Sequence, residues 1–146
     1  MMPVTKVEFH TQAPDRLLYA CRLLRKAAAS GAQVLVTADE TTLRQFDQLL
    51  WTFSGIDFVP HCFQDAPMQV LANTPIVLSQ NPQALARPIL LNLGSDVPTG
   101  FKQFTRIIEI VSEDVDDKRQ ARSRWKHYAS SACELSNHVL QATAPQ

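Results

Sequence analysis

The sequence predicts an α/β fold: a single domain over residues 1–146, in three layers, with a mostly parallel central sheet flanked by helices. Three observations carry this reading. The short runs "QVLVTA", "TPIVLSQ" and "PILLNLG" have the unbroken hydrophobicity of strands covered on both faces. Ahead of and behind the first of them lie amphipathic stretches, giving the rhythm strand, helix, strand, helix that crossover connections produce. A chain of 146 residues, 45% apolar and 19% charged, suits one packed core rather than two.

In chain order, residues 4–10 alternate like a half-buried strand. Pro14 opens the helix "PDRLLYACRLLRKAAAS", with Leu17, Cys21, Leu24 and Ala28 along one face and Gly31 as its C-terminal stop. "QVLVTA" is the next strand. The helix "DETTLRQFDQLLWTF" follows, capped by Asp39 or Thr41, with Leu43, Phe46, Leu50 and Phe53 turned inward. "SGIDFVPHCFQDAPMQV" contains glycine and two prolines and is expected to be a long connection carrying exposed hydrophobics. "TPIVLSQ", "PILLNLG" and "TRIIEIVS" supply three more strands. A last helix is expected from near Asp114 to about Leu140, its core-facing seam made of Ala121, Trp125, Tyr128, Ala132, Leu135 and Val139, with "QATAPQ" as a frayed tail.

Composition and motif spacing narrow the functional classes. No apolar run reaches the roughly 18 residues that span a bilayer, and the first residues show no signal-peptide pattern, so no membrane association or secretion is expected. Cys21, Cys62 and Cys133 are odd in number and far apart, which argues for a reducing cytosol; Cys21 and Cys133 read as small hydrophobes on helix faces. With 14 basic and 14 acidic side chains the net charge is zero, unlike that of a protein that coats nucleic acid. "GSDVPTGFK" fails as a phosphate loop: five residues separate its glycines, Pro98 removes an amide, and Phe101 stands before the lysine. The turn "HTQAPDR" has no glycine to admit a pyrophosphate. His10, His61, His127 and His138 match no compact metal-ligand spacing, His61–Cys62 need not be neighbours in space, and Asp39/Glu40 suit a helix cap. No cofactor, metal or catalytic residue is expected.

Two stretches stand out. In "DDKRQARSRWKHYASSACEL", Lys118, Arg119, Arg122, Arg124 and Lys126 fall within nine residues. Lys118, Arg122 and Lys126 form a line beside the seam, Trp125 sits at its border, and apart from the aspartates at the helix N-terminus the mid-helix cluster has no acidic partners at i,i+4. This is either a solvated basic face or a receptor for an acidic peptide with an apolar end. In "LLWTFSGIDFVPHCF", Trp51 lies off the helix stripe and Phe58 stands just before Val59–Pro60, positions that suit either interface anchors or core.

"QVLVTADE", "LWTFSGIDFVPH" and "DKRQARSRWKHY", in that order, resemble the chi subunit family of bacterial DNA polymerase III, accessory proteins of the clamp-loader assembly. The resemblance implies a nucleotide-binding-like fold without a phosphate loop, and a non-catalytic cytoplasmic adaptor in DNA replication. It implies a site for the acidic, phenylalanine-ended C-terminal tail of single-stranded DNA-binding protein, made by Lys118, Arg122, Trp125 and Lys126, with Val111 in the apolar pocket. It also implies a contact with the psi subunit through Trp51, Phe58 and Pro60, a patch for which a helicase would compete. Trp125 stands where a tyrosine is familiar in the family, and residues 64–87 carry little of the likeness. Strong direct nucleic-acid binding is not implied. A nucleic-acid-binding protein acting through the basic helix is the second reading, and a nucleotide-dependent enzyme or hydrolase the third.

Overall fold

The computed structural model describes residues 4–56 and 58–140. Its strands are β1 (Lys6–Ala13), β2 (Val34–Thr37), β3 (His61–Phe63), β4 (Ile76–Ser79), β5 (Ile89–Asn92), β6 (Arg106–Ser112) and β7 (Glu134–Val139). Its helices are α1 (Arg16–Ala29), α2 (Glu40–Thr52), α3 (Met68–Asn73) and α4 (Val115–Ser130). The strands form one all-parallel sheet in the order β3-β4-β2-β5-β6-β1-β7, so β1 lies between two strands from the far end of the chain.

Strand alternation sends side chains into two cores. Val36, Leu78, Leu91 and Ile110 meet Cys21 and Leu24 of α1 and Phe46 and Leu50 of α2 on one face. Leu35, Val77, Leu90 and Ile107 pack on the other with Phe9, Phe104 and Tyr128 of α4. Each long helix begins on an aspartate whose carboxylate accepts a backbone N–H of the first turn: Asp15 from Leu18, Asp39 from Thr42, Asp114 from Asp117. α1 is C-capped by Ser30, followed by Gly31 with φ +85°, a left-handed residue that turns the chain toward β2.

Three expectations need correction. The connection after α2 contains β3 and α3. β3 has three half-buried residues, and α3 is six residues long with no buried side chain, so neither shows a legible period. The last helix stops at Ser130 rather than Leu140: Ala132 adopts a left-handed φ of 62° and the chain reverses into β7. Leu135 therefore packs against the core beside α4 from a strand, and Val139 is exposed on the sheet edge. The two are four residues apart, a step that suits a helical turn and two strand repeats equally well. Cys133 lies between α4 and β7, not on a helix face, whereas Cys21 is buried in α1 as expected. The stretch 141–146, read as a frayed tail, lies outside the described residues.

α4 is tied to the sheet by polar as well as apolar contacts. Glu109, on β6, has no solvent exposure and Arg124 only 2%. Arg124 Nε donates to Glu109 Oε1 at 3.0 Å, while Tyr128 Oη and Asn92 Nδ2 donate to Oε2 at 2.7 and 2.9 Å. Arg124 Nη1 also donates to the Ser95 carbonyl at 2.9 Å. Burial pushes the Glu109 carboxyl above its ordinary range, and Arg124, Asn92 and Tyr128 pull it back. Arg124 is thus an internal group rather than a surface cation.

Arg124→Ala, which leaves Glu109 buried beside an empty space, should cost about 3–5 kcal/mol of stability in urea denaturation. The double change Glu109→Gln/Arg124→Met removes both charges and keeps an acceptor for Tyr128. It should cost less than Arg124→Ala alone.

Candidate functional site

With Arg124 held inward, the other residues of α4 are placed by helix geometry. At about 100° per residue, Tyr128 and Ala121 fall beside Arg124, Trp125 follows at the border, and Lys118, Arg122 and Lys126 come next. Arg119 points further round and pairs with Asp116. Of the five cations, then, one is buried with a carboxylate and another has an acidic neighbour at i,i−3. The cluster is less uncompensated than its sequence suggests. Lys118, Arg122 and Lys126 make no ion pair among the described residues.

These three cations border a cleft of about 470 Å³ between α4, the end of β1 and β7. Its apolar lining comes from Phe9, Val111, Ala121 and Trp125, with the Trp125 ring tilted on Phe9 at a centroid distance of 5.1 Å. Thr11, Gln12, Asn137 and Val139 also line it. Gln12 has φ 62°, and β1 gains one residue on β6 between His10 and Ala13. This bulge reverses the alternation, so Gln12 reaches the cleft while Ala13 returns to the opposite core. At this same, C-terminal end of β6, Asp117 Oδ2 accepts from Ser112 N and Oγ at 2.8 and 2.9 Å, pinning the turn into α4.

The structure therefore gathers Val111, Lys118, Arg122, Trp125 and Lys126 around one opening. It adds Phe9 and Gln12 from β1 and Asn137 and Val139 from β7, which sequence reasoning did not place there. The alternation of Leu135, Asn137 and Val139 was the signal available for β7.

The second group also comes together. Trp51 is 56% exposed and Phe58 57%, with ring centroids 5.1 Å apart; Pro60 beside them is exposed. His61 supports them from below, its ring centroid 5.1 Å from that of Trp51. Its Nε2 lies 2.9 Å from Asp47 Oδ1 and its Nδ1 2.7 Å from the Val59 carbonyl. Cys62 packs in the core opposite to that of Phe63, as successive strand residues do, so His61 and Cys62 form no dyad. In the loop read against a phosphate cradle, the Gly94 amide donates to Asn92 Oδ1 at 2.9 Å and is thereby engaged.

A family model described as DNA polymerase III chi subunit, HolC, matches residues 4–136. The DNA polymerase III subunit chi of Pseudomonas aeruginosa is 32% identical over 143 residues, covering 94% of this chain and 98% of its own length. The DNA polymerase III subunit chi of Haemophilus influenzae is 34% identical over 122 residues, covering 80% of this chain and 82% of its own.

Because Phe58 is exposed while Phe46 is fully buried, their truncations should separate in thermal melts. Phe46→Ala should cost about 3–5 kcal/mol, and Phe58→Ala should stay within about 0.5 kcal/mol of the wild type.

Proposed function

The chain belongs to the DNA polymerase III chi subunit family, and from that premise we propose that it is a non-catalytic adaptor with two docking surfaces. The cleft takes the acidic, phenylalanine-ended tail of single-stranded DNA-binding protein, and the aromatic patch takes a psi subunit. The observation that carries the reading is the cleft itself: three cations at four-residue spacing along one side of an apolar seat. Its volume of about 470 Å³ falls within the roughly 300–1,000 Å³ of small-ligand pockets.

The division of labour follows from side-chain chemistry. Arg122 meets a carboxylate, the terminal one included, with two parallel hydrogen bonds. Lys118 and Lys126 attract the acidic run from further away and speed encounter. Val111, Phe9 and Trp125 receive the phenylalanine ring. Trp51, Phe58 and Pro60 offer the psi subunit an exposed aromatic surface of the kind that anchors interfaces, and a helicase would compete for the same ground.

The two surfaces stand at opposite ends of the sheet, one by β3 and one by β7. Six strand spacings separate those strands, about 29 Å, so both partners fit at once. Among the described residues no helix is long and apolar enough to cross a membrane; the adaptor is assigned to the cytoplasm, where replication takes place.

Titrating a tail peptide against the protein in a Trp51→Phe background, with Trp125 fluorescence as the signal, tests the cleft. Arg122→Ala should lose about 1.5–3 kcal/mol of binding and Lys126→Ala less; rising salt should weaken the wild type more than Arg122→Ala. Equal binding by wild type and Arg122→Ala would overturn the reading. Tight, steeply salt-dependent binding of a bare single-stranded oligonucleotide would instead favour a nucleic-acid-binding helix. For the other surface, Phe58→Ala should abolish capture of a psi subunit and leave tail binding unchanged.

A further inference from the structure

One wall of the cleft offers backbone groups as well as side chains. β7 is the last strand of the sheet. Glu134 N donates to Thr5 O at 3.0 Å and Leu140 N to Thr11 O at 2.9 Å, so the even-numbered residues of this segment spend their backbone groups on β1. In a parallel ladder the residues between them direct N–H and C=O the other way. The backbone groups of Leu135, Asn137 and Val139 therefore face outward, and no described residue pairs with them. The side chains of Asn137 and Val139 line the cleft. A row of free backbone groups thus runs along its rim.

We infer that this edge takes the backbone of the cleft's peptide as an added strand: the apolar C-terminal end sits in the cleft, and the extended acidic run before it pairs with Leu135, Asn137 and Val139. The inference rests on the cleft being a peptide site. Three observations support it.

First, the edge is open in a way native sheets ordinarily avoid. Glu134–Val139 is six residues long and has neither lysine nor proline, the usual guards of an exposed strand. The opposite edge, β3, is only three residues long and directly follows Pro60. Second, the edge is continuous with the cleft, so a chain leaving it meets hydrogen-bonding groups at once. Third, the charges suit an acidic occupant, with Lys118, Arg122 and Lys126 on the side of the cleft formed by α4. Direction follows as well. The cleft is lined by the C-terminal half of β7, so a peptide that ends there and pairs back toward Leu135 runs parallel to β7 and extends the all-parallel sheet. Backbone pairing would supply affinity, and the cleft would supply the choice of end residue.

The test uses the full chain and a synthetic peptide with several acidic residues before a C-terminal phenylalanine, together with versions N-methylated at single backbone amides. Along a paired strand alternate amides face the partner. Methylation at one alternating set should therefore weaken binding about tenfold, the loss of one to two hydrogen bonds, and methylation at the other set should leave it nearly unchanged. In parallel, hydrogen exchange at the Asn137 and Val139 amides should slow when the unmodified peptide binds. If every methylated peptide binds like the parent, or all are weakened alike, strand addition is wrong while the cleft reading stands. If the unmodified peptide does not bind, both fail. If the Asn137 and Val139 amides are already protected in the free protein in a concentration-dependent way, a second copy of the chain holds the edge and the inference is overturned.

Discussion

A carboxylate removed from water must be surrounded by donors, and Glu109 draws three of them from two elements that are distant in sequence. Asn92 comes from β5, and Arg124 and Tyr128 come from α4. The same residues reach further: Arg124 holds the Ser95 carbonyl and Asn92 that of Asp96, so the loop after β5 is drawn into the cluster. The apolar contact of α4 is modest, essentially Ala121, Tyr128 and the half-buried Trp125. Such a narrow seam defines a helix's roll about its axis loosely, because apolar contact has no direction. Hydrogen bonds to one fixed carboxylate do have direction. The positions of Lys118, Arg122 and Lys126 at the surface are thus set from inside the protein.

This arrangement explains which parts of the molecule could be read from the chain. The strands in "QVLVTA", "TPIVLSQ", "PILLNLG" and "TRIIEIVS" and the helix starts near Asp39 and Asp114 were legible because burial on both faces and N-terminal carboxylates leave direct traces in sequence. β3 and α3 were not, since three and six residues are too few to show a period. β7 was hidden by the coincidence of a four-residue step.

Arg124 was misread for a different reason: one arginine among several looks like surface charge. Yet it stands at i+3 from Ala121 and i−4 from Tyr128, on the buried stripe, and Glu109 interrupts an otherwise apolar strand. Opposite charges set into two apolar stripes are the sequence trace of a buried pair. On the cleft, the α4 side was legible because it lies within one helix. The β1 and β7 sides were not, because they depend on which strands become neighbours and on the extra residue at Gln12.

The position of β1 has a bearing on how such a molecule is made. Lys6 pairs with Arg106 on one side and Glu134 on the other, so during synthesis β1 keeps both edges bare until β6 is made and one edge bare until β7 is made. Contacts so distant in sequence form late and slowly, and unpaired edges are the hazard of that interval. The cleft has walls from β1, α4 and β7 and comes into being only when the sheet closes around β1. A chain lacking β7 keeps the elements that carry the aromatic patch but has no complete cleft. On the adaptor proposal, bridging two partners requires that the sheet has closed, so closure acts as the licence to join an assembly.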